Sequence, residues 1–298
     1  MELRVLKYFL TAVQEGSITS AAKSLHLTQP TLSRQLMELE EELGVTLFKR
    51  GGRQFTLTDD GLLLKQRAGE LLSLAEKTKR EFTEQKELVG GIIAIGSVES
   101  AAMRLLPVLL ESFSKKYPRV QYDLYSGTGD DIKEKIDKGL IDVGFLTEPA
   151  DIAEYDYFRL ATKDLWGVLM RKDDPLAAQR SVTMEQIAGL PLILPWRDLL
   201  QKEIASWGEG MKSPNVFATY HLLLGAVLMV ERGMGYALCL DGAGAVRSDT
   251  ATCFVPLKPA RTVGNLAIWR KNRIFNPATS LFIEYIQNEN LKNSKDFD

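Results

Sequence analysis

Leu3, Leu6, Phe9, Leu10 and Val13 recur at helical spacing and predict an amphipathic helix that Gly16 closes as a C′ residue. A short helix follows, with Thr19 as its expected N-cap and Ala21, Ala22 and Leu25 on its inner face. The small alanines let another helix approach closely. His26-Leu27 then forms a tight connection. Thr28 is the expected N-cap of a third helix, with Pro30 in the first turn, where a missing N–H costs nothing. Leu32, Leu36, Leu39 and Leu43 fall within about 60° on a 3.6-residue wheel, and Gly44 stops the helix. Beyond it, Val45-Thr46-Leu47-Phe48 and Gln54-Phe55-Thr56-Leu57 read as short β-runs around a basic, glycine-bearing turn, Lys49-Arg50-Gly51-Gly52-Arg53. Three helices followed by such a hairpin predict a winged helix-turn-helix over residues 1–58.

The next segment, 59–88, reads as one long helix. Thr58 caps it, Asp59 and Asp60 suit its positive first turn, and it can run to about Lys86. Leu64, Ala68, Leu71, Ala75 and Phe82 repeat at 4,3,4,7 spacing, with Thr78 as the polar position of the stripe. This is a heptad pattern. Such a stripe can pack on its own chain or pair with a second copy, and pairing is the favoured expectation.

Val89-Gly90-Gly91 breaks the helix and opens a third region, 89–298. Strands at Ile92–Val98, Val120–Ser126 and Ile141–Leu146 alternate with helices at Ser100–Tyr117 and Asp130–Lys138. That βαβαβ order predicts a parallel sheet wrapped by helices. A second set comprises strands at Leu165–Met170 and Leu192–Leu194, a capped helix after Thr183 and a helix near Leu222–Arg232. A late strand, Asn265–Trp269, and the helix after Pro277 can return to the first lobe. The expected fold is therefore α/β behind an all-α-type amino-terminal domain, with lobe I at 89–161 and 264–298 and lobe II at 162–263.

A chain of 298 residues is too long for one ordinary domain and about right for two, and 45% hydrophobic with 26% charged residues gives a soluble globular balance. The longest apolar run, Leu222–Val230, falls far short of the ~20 residues of a membrane span. Glu2, Arg4 and Lys7 interrupt any signal-peptide core, so a cytoplasmic location is expected, with no membrane partner. Two cysteines and two histidines make a disulfide framework or a Cys/His metal cluster improbable, and neither metal nor cofactor is expected. Net charge is −2: residues 1–58 hold seven basic against six acidic groups, leaving 30 against 33 for the remainder. Charge totals alone do not mark a nucleic-acid binder; position does.

On the third helix, Gln29, Pro30, Thr31, Ser33 and Arg34 occupy the first turns, while the acids are held back to residues 38–42. This layout fits a helix entering the major groove N-terminus first, with Arg and Gln on base edges and Arg50 and Arg53 of the wing on phosphate or minor groove. The run Phe9–Ala22, then Leu25–Leu36, Leu39–Arg50 and Leu57-Thr58-Asp59-Asp60-Gly61, resembles the amino-terminal region of the LysR-type transcriptional regulators without a gap over some sixty residues. The resemblance implies that Gln29, Pro30, Ser33 and Arg34 face bases and that Thr31 and Arg53 face the backbone. It also implies a dimer seam along the long helix and a two-lobed sensor like periplasmic solute-binding proteins. Leu105-Leu106-Pro107, Tyr117-Pro118, Gly139-Leu140-Ile141-Asp142-Val143-Gly144 and Gly233-Met234-Gly235 carry the looser likeness there.

Ligands of such sheets bind beyond the carboxyl ends of the strands. Ser97, Glu99, Ser100 and Thr128 lie in the first two such loops, and Trp196, Arg197 and Thr219 are candidates for the facing lobe. Hydroxyls and free N–H groups suit a carboxylate or phosphate, although Glu99 would repel one unless it faces outward or meets a ligand amino group. Serines and threonines at helix starts can equally be plain caps. His221 is expected to be a packed or exposed histidine. No P-loop, nucleophile elbow or paired acid/base carboxylates appear, so an enzyme is not expected. The expected partners are double-stranded DNA, a small-molecule effector, and a second copy as a homodimer or a dimer of dimers, with RNA polymerase as a further candidate. The alternative is a solute-binding protein with a helical amino-terminal extension.

Overall fold

The computed structural model describes residues 1–51, 54–83, 89–207, 214–244 and 251–293. They form two compact units, residues 1–85 and 86–298.

The first unit contains α1 (Leu3–Glu15), α2 (Ile18–Ser24), α3 (Gln29–Leu43), β1 (Phe48–Gly51), β2 (Gln54–Leu57) and α4 (Asp59–Thr83). Gly16 and Gly44 adopt left-handed φ of 64° and 68° just past α1 and α3, as their positions required. The cap of α2 differs from expectation. Ser17, already extended after the Gly16 turn, accepts from Ser20 N at 3.5 Å, so Thr19 falls inside the first turn. Thr28 caps α3, its Oγ1 accepting from Thr31 N. Leu32, Leu36 and Leu39 are buried with Phe9, Ala12, Ala21 and Ala22, whereas Leu43, at the end of α3, is exposed. Phe48 packs between Phe9 and Phe55, with ring centroids 5.4 and 4.6 Å away. The first β-run is shorter than expected because Glu40 Oε1 takes Leu47 N and Phe48 N, holding the backbone before the ladder begins at Phe48. Thr58 Oγ1 accepts from Gly61 N and donates to Thr46 O. Gly61 itself sits so near Leu47 that an added Cβ would lie 2.3 Å from the Leu47 carbonyl oxygen. That close approach locks the start of α4 onto the domain.

The second unit is built on one twisted sheet of order β4-β3-β5-β11-β6-β9-β7-β8, with β10 also beside β6. Its first lobe holds β3 (Gly90–Ser97), α5 (Ala102–Lys116), β4 (Arg119–Ser126), α6 (Gly129–Asp137) and β5 (Val143–Thr147), with β4 and β5 both parallel to β3. The 17-residue β6 (Tyr155–Arg171) starts ten residues before its expected strand and runs from this lobe into the next. The second lobe adds α7 (Met184–Ile187), β7 (Leu192–Pro195), α8 (Asp198–Ser206), β8 (Val216–Tyr220), α9 (Leu223–Glu231), β9 (Tyr236–Leu240), α10 (Asp241–Gly244) and β10 (Thr252–Pro256). Finally β11 (Thr262–Arg270) pairs antiparallel with β5 and β6, and α11 (Pro277–Asn293) lays Ala278, Phe282 and Ile286 into the first lobe's core. The return of the last strand and helix to the first lobe is as the sequence implied.

Separate apolar cores fill the two lobes, one around Phe113, Phe145 and Phe282, the other around Trp166, Val168 and Trp207. Among the described residues, only β6 and β11 run through both. Where they cross, the fully buried Asp164 accepts from Ala101 N (2.8 Å) at the head of α5, from Gly242 N (3.2 Å) in α10 and from Asn265 Nδ2 (2.8 Å) in β11. One carboxylate thus ties both lobes to the strand that joins them. Burial raises its pKa, against the lowering effect of these hydrogen bonds.

Candidate functional site

Two surfaces merit description, one in each unit. On the first, α3 presents Gln29, Pro30, Thr31 and Arg34 to solvent, with Ser33 half-buried. No acidic residue occupies the first turn, so the helix keeps its positive N-terminal field. The Arg34 side chain is 78% exposed and its Nε donates to Glu38 Oε1 at 2.8 Å, while Gln35 Nε2 donates to Glu38 Oε2. An exposed (i, i+4) pair of this kind is worth only ~0.5 kcal/mol, so a guanine edge or phosphate can take Arg34 from it. Substituting Glu38 by Gln should therefore tighten DNA binding modestly, by about 2-fold, in a gel-shift titration; a loss of affinity would mean that Glu38 positions Arg34 for binding. Arg50 lies in β1 opposite Phe55, its side chain outside the described residues, and Arg53 also lies outside them.

The long helix corrects the expected seam. Leu64 and Ala68 are buried in the core of the amino-terminal domain, against α1, so they serve their own chain. Ala75 is half-buried, and the Phe82 side chain lies outside the described residues. Of the expected residues Leu71 remains exposed, and it lies with exposed Leu63 and Leu74 within about 80° of the helix wheel. Leu64 and Ala68 are spent there because the first turns of α4 pack on the domain they leave.

The second surface is a cavity of about 350 Å³ between the two lobes, the size of a small-ligand site. Glu99, Thr128, Trp196 and Arg197 line it as expected, and so does His221, which stacks on Trp196 at 4.6 Å and 22°. Ser97, Ser100 and Thr219 do not line it. Ser97 Oγ, buried, donates to Val98 O, and Ser100 Oγ, wholly buried, accepts from Ala102 N just before α5. Thr219 is exposed on β8. Thr128 is occupied as well, because its Oγ1 and N both donate to Asp131 Oδ2 within a capping box. Trp166, Leu200, Tyr220, Leu240 and Val263 supply apolar walls that sequence alone did not single out.

Among the described residues, two links cross the cavity. Glu99 Oε2, from the loop after β3, accepts from Leu223 N, the first residue of α9, at 2.5 Å. Arg197 reaches back to the Pro149 carbonyl (3.1 Å) and to Asp130 (3.7 Å). Among the described residues no group of metal-ligating side chains is present, and the Cys239 thiol is pushed up to about 12, chiefly by burial, so it is no ready thiolate.

Residues 3–62 match the bacterial regulatory helix-turn-helix protein, lysR family, and residues 86–290 match the LysR substrate binding domain. The chain belongs to the LysR family of transcriptional regulators. It is a DNA-binding regulator with an effector-binding domain, which decides against the solute-binding alternative. Among LysR-family relatives, the Hca operon transcriptional activator HcaR of Escherichia coli is 31% identical over 96% of this chain and 97% of its own. AlsR of Bacillus subtilis is also 31% identical, over 79% of each. The crystal structure of CbnR shares the fold, with a TM-score of 0.80 and 23% identity over 97% of this chain and 99% of that one.

Proposed function

We propose that this LysR-family chain binds an interrupted palindrome in double-stranded DNA as a homodimer or dimer of dimers, and that a small molecule in the interlobe cavity changes that binding. The carrying observation is the first turn of α3, polar, exposed and free of acids. Gln29, Pro30, Ser33 and Arg34 read bases, Thr31 and Arg53 contact the backbone, and Arg50 contacts phosphate or minor groove. CbnR has been solved with its target DNA, which supports this use of a similar fold. The working domains are 1–58 for DNA, 59–88 for the linking helix and 89–298 for the effector, with lobe I at 89–161 and 264–298 and lobe II at 162–263. Activity is regulatory and not enzymatic, and the site of action is the cytoplasm; no described helix is long and apolar enough to cross a membrane.

Pairing compensates for the weak charge of the DNA domain, since two half-sites read together roughly double the binding free energy. The exposed Leu63, Leu71 and Leu74 face supports α4 as the seam. Leu71→Glu with Leu74→Glu should lower the sedimenting mass of the full chain toward a smaller assembly. An unchanged mass with a folded spectrum would remove α4 from the interface. A ligand acts only if it binds the two states of the lobes with different affinity. The test of the whole reading is effector-dependent retardation of a selected duplex, which a chain without DNA affinity cannot give.

A further inference from the structure

The interlobe cavity has a charge pattern that selects its ligand. Four carboxylates, Glu99, Asp130, Asp131 and Glu148, line it against two cations, Lys133 and Arg197. Both cations are already engaged, Lys133 with Asp130 at 3.2 Å and Arg197 with Asp130 and the Pro149 carbonyl. Glu148 is held by Arg159 at 3.0 Å. Of the helix N-termini at the cavity wall, α9 is filled from within by Glu99 on Leu223 N and α6 by Asp131 on Thr128 N and Oγ1, while α8 starts after Arg197 with no side-chain cap. Glu99 and Asp131 meet only neutral donors there, and no described cation pairs with either. An entering carboxylate finds two of these anion positions taken and meets uncompensated negative charge, which is costly.

The same walls suit the opposite charge. Trp166, Trp196 and Tyr220 offer aromatic surface, Trp196 with His221 stacked on one face, Leu200, Leu240 and Val263 offer aliphatic surface, and Glu99 stands at the end of the loop facing α9. Aromatic surface and carboxylates together favour an organic cation over an anion.

We propose that the effector is a small organic cation, an amine on an aromatic or aliphatic body, whose ammonium pairs with Glu99. This rests on the reading of the interlobe cavity as the effector site. Binding of the ammonium competes with Leu223 N for the Glu99 carboxylate, so ligand charge is coupled directly to one of the links across the cavity.

Three probes of one shape test it on the full chain by calorimetric titration: phenethylamine, 3-phenylpropionate and the neutral 3-phenylpropanamide. Phenethylamine is expected to bind at least about tenfold more tightly than 3-phenylpropionate, a difference of one buried charge pair. Glu99→Gln keeps an oxygen for Leu223 N while removing the charge; it should leave the unfolding temperature nearly unchanged and abolish most of the preference. Trp196→Ala should weaken all probes that bind. The proposal is overturned if 3-phenylpropionate equals or exceeds the amine, if no probe binds, or if Glu99→Gln keeps the preference. Carboxylate binding that Trp196→Ala abolishes would overturn the ligand class yet leave the cavity as the effector site. Amine binding indifferent to both substitutions would overturn both.

Discussion

Replacing Asp164 by alanine is expected to destabilise the effector unit by about 2–4 kcal/mol. The carboxylate is fully buried at the crossing of β6 and β11 and accepts from both lobes. Its loss strands Ala101 N outright, whereas Gly242 N keeps Asp241 Oδ1 at 2.9 Å and Asn265 Nδ2 keeps Thr162 O at 3.3 Å. Asparagine provides the contrast. It retains an oxygen for Ala101 and Gly242, and the unpartnered Oδ1 of Asn265 can turn to meet the new N–H. Asp164→Asn should therefore stay within about 1 kcal/mol of wild type at neutral pH. The sign of the pH effect distinguishes Asp164 further. Its pKa is raised in the folded state, mainly by desolvation, so its contribution is fully present below the unfolded pKa and is lost as pH rises through the folded one. Urea unfolding across the acid range checks this: removing Asp164 should remove a stabilisation on acidification, and an alanine variant as stable as wild type would show that the lobes are held by apolar packing alone.

Arg34→Ala should weaken specific DNA binding by about 1–3 kcal/mol and relax the base preference at one position of each half-site. The guanidinium is exposed and lightly held by Glu38, so its removal leaves the helix intact; Leu32, Leu36 and Leu39 carry the packing on the other face. A residue that only touched phosphate would instead weaken all sequences uniformly and lower the salt dependence. Competition gel shifts with single-base variants separate the two. Unchanged discrimination would remove Arg34 from base reading.

The amino-terminal domain was largely legible because its signals are local. Helical periodicity, the caps Thr28 and Thr58, and the glycines at 16 and 44 each act within a few residues, and the structure keeps all of them. The effector unit was less so. The strands β8 (Val216–Tyr220), β9 (Tyr236–Leu240) and β10 (Thr252–Pro256) are five residues each and take their identity from distant partners, β10 from β6 some eighty residues away. Ser97 ends β3 and Ser100 follows it, where ligand-binding hydroxyls stand, yet neighbouring backbone consumed them. Conversely, Asp164 is one of five charged residues in a long strand. Nothing nearby in sequence announces that Ala101, Gly242 and Asn265 converge on it. Leu64 and Ala68 continue the heptad rhythm faithfully, but the rhythm cannot say whether a helix pairs with its own domain or with a second copy.

Selection from random duplexes by this chain at physiological salt puts base reading by α3 to the test. Enrichment of two inverted half-sites about an interrupted centre is expected, with Arg34→Ala losing preference at one symmetric position in each. Recovery of no shared sequence, or of a sequence that Arg34→Ala selects unchanged, would contradict it.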